Sequence, residues 1–319
     1  MENAFKKAKQ LIDKSKSILL ACHESPDPDA LGSLLAMAEY LKKRGKRFFC
    51  FVPIGIPKRL NVLPGFSKLH SKIPPTRGLD LIIGLDYGSF DRLGLNEFLN
   101  SQKMRAPILT IDHHRFGEKK GDVMILHYDA SSTSEILYDF FTYVHFPINK
   151  KVAELLLPGI VTDTVSLKIN ATPKVFKIVA DLIEKGVNFS TITSRLYRLK
   201  SLRSLKLKAK VFQNAVFYPR VSFIAARLYY KDHKNVLSDP DEINLLVEEL
   251  AVLPEAKVAL LLKEEEPGEW YGELRSRQGV NVGLVARQLG GGGHKGASGF
   301  HSHEKPDTII KKVIKLLKR

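Results

Sequence analysis

Acids and histidines follow several apolar stretches in the first half of the chain. The apolar run Ile108–Ile111 ends in Asp112, His113 and His114. The same pattern recurs elsewhere and gives the candidate set His23, Asp27, Asp29, Asp86, Asp112, His113, His114 and Asp163. Carboxylate oxygens and imidazole nitrogens without a thiolate favour Mn²⁺ or Mg²⁺ over a structural zinc. The residue types therefore predict a site for hard or borderline divalent cations.

Several carboxylates brought together without cations would repel one another and raise each other's pKa. The number of candidate ligands suits two ions, which lie about 3.5–4 Å apart in two-metal hydrolytic sites. Such a pair activates water and neutralises charge on a phosphorus centre during in-line attack. We find no convincing Ser-His-Asp or Cys-His arrangement in the sequence.

The candidate residues need elements that bring them together. Ser17–Cys22 and Leu79–Leu85 are continuous apolar runs, typical of buried strands, and they end at His23 and Asp86. A helix is predicted over Ala30–Arg44, and the prolines at 26 and 28 should keep the preceding loop extended and outside that helix. Repeated alternation of strands and helices predicts an α/β fold with a mainly parallel sheet flanked by helices. In such sheets, ligand sites lie at the carboxyl ends of the strands.

The last third of the chain has a different pattern. Strands are predicted over Val221–Tyr229, Lys257–Lys263 and Trp270–Ser276, with helices over Pro240–Ala251, Val280–Leu289 and Pro306–Arg319. The run Gly290–Gly293 leads into His294 and Lys295. Glycines let a backbone approach a ligand closely and present its N–H groups. We therefore expect a flexible ligand-binding loop here.

The balance of charge is strongly basic. The 319 residues carry 50 Lys and Arg against 34 Asp and Glu, a formal net charge of +16. Such a charge attracts polyanions such as nucleic acids. Residues 194–210 are predicted to form a basic helix with Leu196, Leu199, Leu202 and Leu205 packed along one side. Its basic face could follow a phosphate backbone or simply face water.

Cysteine content and hydropathy bear on location. Cys22 and Cys50 both lie in apolar runs, which predicts buried, reduced thiols in a cytoplasmic protein. No signal peptide is recognisable, and no apolar run approaches the ~20 residues that cross a bilayer. We expect no association with a membrane.

The order of these motifs resembles the DHH phosphoesterase superfamily. The matching elements are His23-x-x-x-Asp27-x-Asp29, a lone Asp86 after an apolar strand, Asp112-His113-His114, and Asp163 within Gly159–Thr164. The Gly291–His294 element is similar to that of the DHH-associated C-terminal domain of oligoribonucleases that degrade very short RNA. The resemblance implies a DHH domain over 1–190, a basic connecting helix over 191–214 and a smaller α/β domain over 215–319. The active site is then expected in the cleft between the two domains.

The resemblance also implies roles for individual residues. One Mn²⁺ would be held by His23, Asp27 and Asp86, and a second by Asp29, Asp86, His113 and Asp163, so that Asp86 bridges the two. His114 would contact the scissile phosphate, and Asp112 would orient the histidines. The second domain would bind the end of the substrate through Arg275, Ser276, Gly291, Gly292, Gly293 and His294. Relatives often have Gly and an aromatic residue where this chain has Val165 and Leu167, a departure that bears on substrate preference.

The implied activity is Mn²⁺-dependent hydrolysis of short RNA or linear dinucleotides to mononucleotides, with phosphatase action on 3′,5′-bisphosphorylated adenosine as a further expectation. Other hydrolase alternatives are a cyclic dinucleotide phosphodiesterase, a polyphosphate or pyrophosphate hydrolase, and a RecJ-like single-strand exonuclease. A non-enzymatic alternative is a nucleotide-binding regulator, against which the complete ligand set argues. Whether the chain forms a homodimer is left open.

Overall fold

The computed structural model describes residues 1–57, 60–73, 78–101, 106–194, 202–234, 241–277 and 279–318. The chain divides into two compact units, Met1–Leu199 and Lys200–Arg319. Each unit contains a six-stranded sheet with accompanying helices. This confirms the predicted α/β class.

The sheet of the first unit is parallel throughout. Its strands are β1 Ser17–Cys22, β2 Arg47–Phe51, β3 Leu69–His70, β4 Leu81–Leu85, β5 Ile108–Asp112 and β6 Val123–Leu126. Their spatial order is β3-β2-β1-β4-β5-β6. The order reverses between β1 and β4, which is where open α/β sheets have the crevice that binds ligands.

Burial explains why the central strands are so apolar. Leu20 and Cys22 of β1 pack into the larger of two hydrophobic clusters, while Leu19 and Ala21 pack into the smaller one. Since β1 and β4 are covered on both faces, only the residues that follow their carboxyl ends are available for polar chemistry.

Seven helices accompany this sheet in the described part of the first unit. They are α1 Glu2–Lys14, α2 Pro28–Lys43, α3 Asn96–Ser101, α4 Thr133–Tyr143, α5 Lys150–Asp163, α6 Pro173–Glu184 and α7 Phe189–Thr193. The larger hydrophobic cluster draws on α1, α2, α4, α5 and α6. The helices therefore anchor the segments that carry the candidate site residues.

The start of α2 differs from the prediction. The helix begins at Pro28 rather than Ala30, so Pro28 and Asp29 lie in its first turn and not in an extended loop. Proline is tolerated there because the first-turn N–H groups have no intrahelical partner. Asp27 is the N-cap and accepts hydrogen bonds from the N–H groups of Asp29 and Ala30. The two prolines therefore do not hold the whole segment outside the helix.

Helices α2 and α5 pack closely through two glycines. A Cβ on Gly32 would lie 2.2 Å from the carbonyl oxygen of Leu155, and one on Gly159 would lie 2.3 Å from Asp29 Oδ1 and 2.4 Å from Ser134 Oγ. Any larger side chain at either position would force the helices apart or displace the Asp29 carboxylate.

The sheet of the second unit is mixed. Its strands are β7 Val216–Tyr218, β8 Phe223–Leu228, β9 Val258–Glu266, β10 Glu269–Ser276, β11 Gly292–Gly293 and β12 Ala297–Ser302. Their order is β11-β12-β10-β9-β8-β7, with β8 and β9 parallel and the other neighbours antiparallel. The helices are α8 Leu202–Gln213, α9 Tyr230–His233, α10 Asp241–Leu250, α11 Val282–Gln288 and α12 Pro306–Leu317. Two of the predicted loop glycines thus form the edge strand β11.

The basic helix also differs from the prediction. Residues 195–201 lie outside the described part, and with them Leu196 and Leu199. Leu202 and Leu205 of α8 are 68% and 49% exposed, so the predicted packing of these two leucines is wrong. Leu207 and Val211 are buried instead. The buried stripe of the helix therefore lies on a different face from the one expected.

No helix within the described ranges is both long enough and apolar enough to cross a membrane. Cys22 and Cys50 are free and buried.

Candidate metal centre

The structure brings the predicted acids and histidines of the first unit together at one edge of the parallel sheet. His23 follows β1, Asp86 follows β4, and Asp112 is the last residue of β5. The first turn of α2 and the last residue of α5 supply Asp29 and Asp163. The candidate residues thus converge from strands and helices far apart in sequence.

Three groups of donor atoms form within this cluster. In each group one donor atom per residue lies within 4.8 Å of the others. The groups are His23 with Asp27 and Asp86, Asp29 with His113 and Asp163, and Asp86 with His113 and His114. Asp86 and His113 each belong to two groups, so the cluster is continuous.

The two carboxylate oxygens of Asp27 have different surroundings. Oδ1 caps α2 at 2.9 Å from the backbone nitrogens of Asp29 and Ala30. Oδ2 lies 4.0 Å from His23 Nε2, and Asp86 Oδ2 lies 3.9 Å from the same nitrogen. When His23 Nδ1 donates to the carbonyl oxygen of Glu24, 2.7 Å away, the lone pair on Nε2 faces these two carboxylates.

His113 has a similar arrangement. Its Nδ1 lies 3.4 Å from the carbonyl oxygen of Ala130. Its Nε2 is buried without a hydrogen-bond partner, yet it lies 3.5 Å from Asp86 Oδ1 and 3.3 Å from Asp163 Oδ2. A buried imidazole nitrogen between two carboxylates, without a hydrogen bond to either, suits a metal ligand.

The start of α4 supports two buried acids, Asp29 and Asp86. Asp29 accepts hydrogen bonds from the backbone nitrogens of Thr133 at 2.7 Å and Ser134 at 2.9 Å. Thr133 Oγ1 donates to Asp86 Oδ1 at 3.0 Å. The N-terminus of a helix favours negative charge, so α4 helps to hold these carboxylates in the interior. These contacts could not be predicted from the sequence, because the donors are mostly backbone N–H groups.

Electrostatics show that the acids are under strong mutual repulsion. Burial raises the pKa of Asp86 well above its usual value, and the carboxylates of Asp29 and Asp27 raise it further. The same three causes, burial first, raise the pKa of Asp163 to about 10. Burial likewise raises the pKa of Asp29, although His113 opposes the shift. A cation among them would offset both the cost of burying these charges and the repulsion between them.

These observations test whether the residues fit divalent ions. The donors are carboxylate oxygens and imidazole nitrogens, the acids are close together with Asp29 and Asp86 buried, and Nε2 of His113 lies among them without a hydrogen bond. Hard and borderline divalent cations take this donor set. The residues present therefore fit the metal ions that the sequence analysis implied.

Asp112 lies behind this cluster. Its Oδ2 accepts from the backbone nitrogens of Tyr87 and Gly88, at 3.1 and 2.9 Å. Its Oδ1 lies 2.8 Å from His114 N and 2.9 Å from His114 Nδ1. Burial would raise the pKa of Asp112, but the hydrogen bonds from His114 outweigh it and lower that pKa. The contacts hold the His114 ring in one orientation.

Arg92 is a residue of this region that the sequence analysis missed. Its Nη2 lies 3.0 Å from His23 Nδ1, and its Nη1 lies 3.5 Å from the carbonyl oxygen of Tyr87. In the sequence, Arg92 is only a basic residue shortly after Asp86. Nothing in the spacing between Arg92 and His23 indicates that the two side chains meet. Its position could therefore not be inferred from the sequence.

The predicted substrate-binding residues lie together within the second unit. Arg275 pairs with Ala297 in the β10–β12 ladder, and Ser276 N donates to the carbonyl oxygen of Gly296 at 2.9 Å. Gly292 and Gly293 pair with β12, and His294 N donates to the carbonyl oxygen of Ala297 at 2.7 Å. Gly291 packs against the same strand, since its Cβ would lie 2.1 Å from the carbonyl oxygen of Gly299.

The first unit is thus a doubly wound α/β domain with a candidate two-metal centre at its switch point. Residues 17–160 match the DHH family N-terminal domain, and residues 221–319 match the DHHA1 domain. The chain therefore carries a DHH N-terminal domain and a DHHA1 domain.

Relatives and solved structures agree with this assignment. Proteins named bifunctional oligoribonuclease and PAP phosphatase NrnA are 27% identical over 286 residues in Thermus thermophilus and 29% identical over 313 residues in Bacillus subtilis. The matches cover 88% and 95% of this chain and 83% and 95% of those proteins. A solved structure of an exopolyphosphatase-related protein from Bacteroides fragilis has the same fold, with a TM-score of 0.87, 22% identity and coverage of 100% of this chain and 96% of that chain.

Proposed function

We propose that this chain is a metal-dependent phosphodiesterase that hydrolyses very short oligoribonucleotides and linear dinucleotides to mononucleotides. Adenosine 3′,5′-bisphosphate is proposed as a second substrate. The observation that carries the proposal is the buried cluster in which Asp86 and His113 link three groups of potential ligands. The names of the relatives from Bacillus subtilis and Thermus thermophilus support the choice of substrate.

The proposed ligands divide into two sets, with Mn²⁺ as the proposed metal and Mg²⁺ as the alternative. His23, Asp27 and Asp86 form the first set. Asp29, Asp86, His113 and Asp163 form the second, and the short distances from His113 Nε2 to Asp86 and Asp163 support it. When bound, such ions activate water and neutralise charge on a phosphate.

His114 is proposed to contact the scissile phosphate of the substrate, and Asp112 is proposed to orient the His114 ring from behind. His114 is partly exposed, and its Nδ1 is taken by Asp112, so Nε2 is the nitrogen that can reach a phosphate oxygen. Asp112 itself is fully buried and keeps the ring from rotating. This is the usual way in which an outer carboxylate orients a functional histidine.

The second unit is proposed to bind the end of the substrate. Arg275, Ser276 and the Gly291–His294 segment cluster around the β10–β12 ladder, where backbone N–H groups and a guanidinium suit a phosphate or sugar. We retain 1–190 and 215–319 as the two functional domains, joined by 191–214. The free, buried cysteines support the proposed cytoplasmic location. Homodimerisation stays a prediction.

The Asp86→Asn variant tests the bridging role. Asp86 has a φ of 51°, a conformation that Asn accepts far more readily than Ala, so the backbone should be preserved. Loss of one charged ligand should lower kcat/KM for a diribonucleotide at least about a hundredfold and weaken Mn²⁺ binding measured by titration calorimetry. Asp129→Asn is the matched control, since the Asp129 side chain is 85% exposed. Wild-type turnover by the Asp86→Asn variant would refute the proposal.

A substrate panel separates the proposed function from its alternatives. The purified chain should hydrolyse linear diribonucleotides and adenosine 3′,5′-bisphosphate in Mn²⁺, and chelator should stop both reactions. Preferential cleavage of a cyclic dinucleotide, of polyphosphate or pyrophosphate, or of long single strands would instead identify one of the rival hydrolases. Tight nucleotide binding without any turnover would identify a regulator.

A further inference from the structure

One face of the second sheet carries a row of side chains that the proposed metal chemistry does not use. Tyr271 of β10 pairs with Lys263 of β9 and with His301 of β12. The Tyr271 and His301 rings lie 4.8 Å apart between centroids, and Lys263 Nζ lies 5.5 Å from the Tyr271 centroid. The His301 side chain is 73% exposed. This row therefore presents two aromatic rings and a cation on an accessible face.

Gly299 determines how the Tyr271 ring lies. A Cβ on Gly299 would be 2.3 Å from Tyr271 Oη and 2.8 Å from Tyr271 Cζ. The absence of a side chain at 299 lets the ring lie against the backbone of β12. Since one side of the half-buried ring rests on this strand, its accessible side faces away from the sheet.

The ring is next to the residues proposed to bind the substrate end. Gly299 pairs with Gly292 in the glycine-rich edge strand and with Glu273 in β10. Arg275 points to the same side of β10 as Tyr271, because the two positions are four residues apart in a strand. A nucleotide whose phosphate lies near Arg275 or the glycine strand would have its base within reach of Tyr271.

A nucleobase is the ligand that this surface suits. Bases stack on aromatic rings and can do so on any of the four base types, since each has a π-face. Lys263 Nζ lies over the Tyr271 ring, and its charge is paired with Glu265 at 2.9 Å. The group left to attract the phosphate of such a ligand is therefore Arg275.

We propose that Tyr271, lying on Gly299 with His301 beside it, is a stacking surface for one base of the nucleotide substrate. The proposal rests on the proposed function, because it assigns the base of that substrate to the second unit. It predicts that the chain distinguishes nucleotides from sugar phosphates by stacking, with little preference among bases.

Binding in EDTA tests this surface without turnover. The two ligands are 2-aminopurine riboside 5′-monophosphate, whose fluorescence falls on stacking, and ribose 5-phosphate. Wild-type protein should quench the fluorescence and bind the base-containing ligand roughly ten- to a hundredfold more tightly than the sugar phosphate. Tyr271→Leu should lose the quenching and most of this preference, whereas Tyr271→Phe should keep both.

Two further variants sharpen the test. Gly299→Ala should reduce quenching while Tyr271 is still present, because the new methyl group displaces the ring. Tyr230→Ala is the matched control, since Tyr230 forms another tyrosine–histidine pair in the same unit, 5.9 Å from His233. Equal loss in Tyr230→Ala and Tyr271→Leu, or retained quenching and preference in Tyr271→Leu, would overturn the proposal. Circular dichroism melting curves confirm that each variant is folded.

The two proposals can fail separately. Quenching in EDTA together with no hydrolysis of any phosphate ester in Mn²⁺ would retain the stacking surface and reject the proposed function. Hydrolysis of diribonucleotides by the wild type, together with a Tyr271→Leu variant that binds and quenches like wild type, would retain the proposed function and reject the stacking surface.

Discussion

Three consecutive residues that follow the candidate metal centre adopt left-handed backbone conformations. The φ angles of Val165, Ser166 and Leu167 are 49°, 59° and 64°. For a β-branched residue such as Val165 this conformation is a genuine outlier. In the sequence, Val165 and Leu167 stand where relatives often have glycine and an aromatic residue, and this departure was related only to substrate preference. The structure adds a backbone reason for glycine at 165.

Replacing Val165 with glycine should stabilise the protein. A left-handed conformation costs an L-residue about 1–2 kcal/mol, of which glycine's greater freedom in the unfolded chain offsets part. Val165 is 48% exposed, so little packing is lost. We expect Val165→Gly to raise the free energy of unfolding by about 0.5–1 kcal/mol in urea titrations. Val165→Ala is the control and should gain nothing of that kind, since alanine keeps the unfavourable φ; an equal gain would argue against strain.

At the residue scale, the sequence identified most of the candidate site. His23, Asp86 and His113 could be found because each follows an apolar strand, and parallel strands end at one edge. The contacts from Thr133 and Ser134 could not, because backbone N–H donors leave no trace in residue type. Arg92 was missed for a different reason, since its approach to His23 depends on how two loops fold.

Helix α4 shows how one element links the site to the rest of the fold. Ser132 caps the helix by accepting from Glu135 N at 3.1 Å, and Glu135 Oε2 accepts from Ser131 N at 2.7 Å. Glu135 also pairs with Lys174 of α6 at 2.9 Å. Burial would raise the pKa of Glu135, but the hydrogen bonds from Lys174 and Ser131 outweigh it and lower that pKa.

The Glu135–Lys174 pair should make stability depend on pH in a predictable direction. Because the pKa of Glu135 in the folded protein lies below its ordinary value of 4.5, its ionised form stabilises the fold above that pH. The contribution is lost as pH falls through the lower folded pKa. Glu135→Gln should therefore lower the free energy of unfolding by about 1 kcal/mol near neutral pH, a figure that allows for the partial exposure of Lys174. Below the folded pKa the difference should disappear in urea titrations.

Glu154→Gln is the control for this experiment, since the Glu154 pair with Lys150 is long, at 4.0 Å, and the Lys150 side chain is 63% exposed. Its effect should be small at every pH. A Glu135→Gln difference that stays constant down to strongly acidic pH would show that the charge of Glu135 is not responsible.

Elements were predictable where the sequence has continuous apolar runs. The buried strands β1, β4 and β5 were predicted from such runs. The two- and three-residue strands β3, β7 and β11 are too short to show an alternating pattern. The packing face of α8 was misjudged because its leucines allow more than one apolar stripe.

At the scale of the whole molecule, only the part of the +16 charge that is not paired within the protein can attract a nucleic acid. In α8, Lys208 pairs with Glu249, and Lys210 pairs with Asp232 at 2.6 Å. Part of the basic charge of this helix is thus already paired within the protein, so the helix should bind a long phosphate backbone less strongly than its lysine count suggests.

Salt dependence should separate short from long substrates. Each neutralised phosphate of a single strand contributes a slope of about −0.7 to log K against log salt concentration. A 5′-phosphorylated dinucleotide, if both of its phosphates are neutralised, should therefore show a slope of about −1.4 in EDTA, and a longer RNA no more than slightly steeper. Adenosine, which is uncharged, is the control. A slope of about −4 or steeper for the longer RNA would favour the single-strand exonuclease alternative.

The parallel sheet of the first unit was predictable because alternating strands and helices restrict its connections. The strand order of the second sheet was not, since the parallel pairing of β8 with β9 depends on contacts between segments far apart in sequence. The two units are also separable in the sequence itself, where a strand–helix alternation rich in acids and histidines gives way to a glycine-rich third.

The glycine contact between α2 and α5 limits which substitutions can change the distance between two of the proposed metal ligands. Asp29 lies in the first turn of α2 and Asp163 is the last residue of α5, and Gly159 allows α5 to approach the Asp29 carboxylate closely. The distance between Asp29 and Asp163 is thus determined by the close packing of α2 against α5 rather than by the surrounding loops. Mutations can accumulate on the outer surface while this spacing is inherited unchanged. The residues that must stay small for this spacing to be kept are Gly32 and Gly159, where the two helices touch.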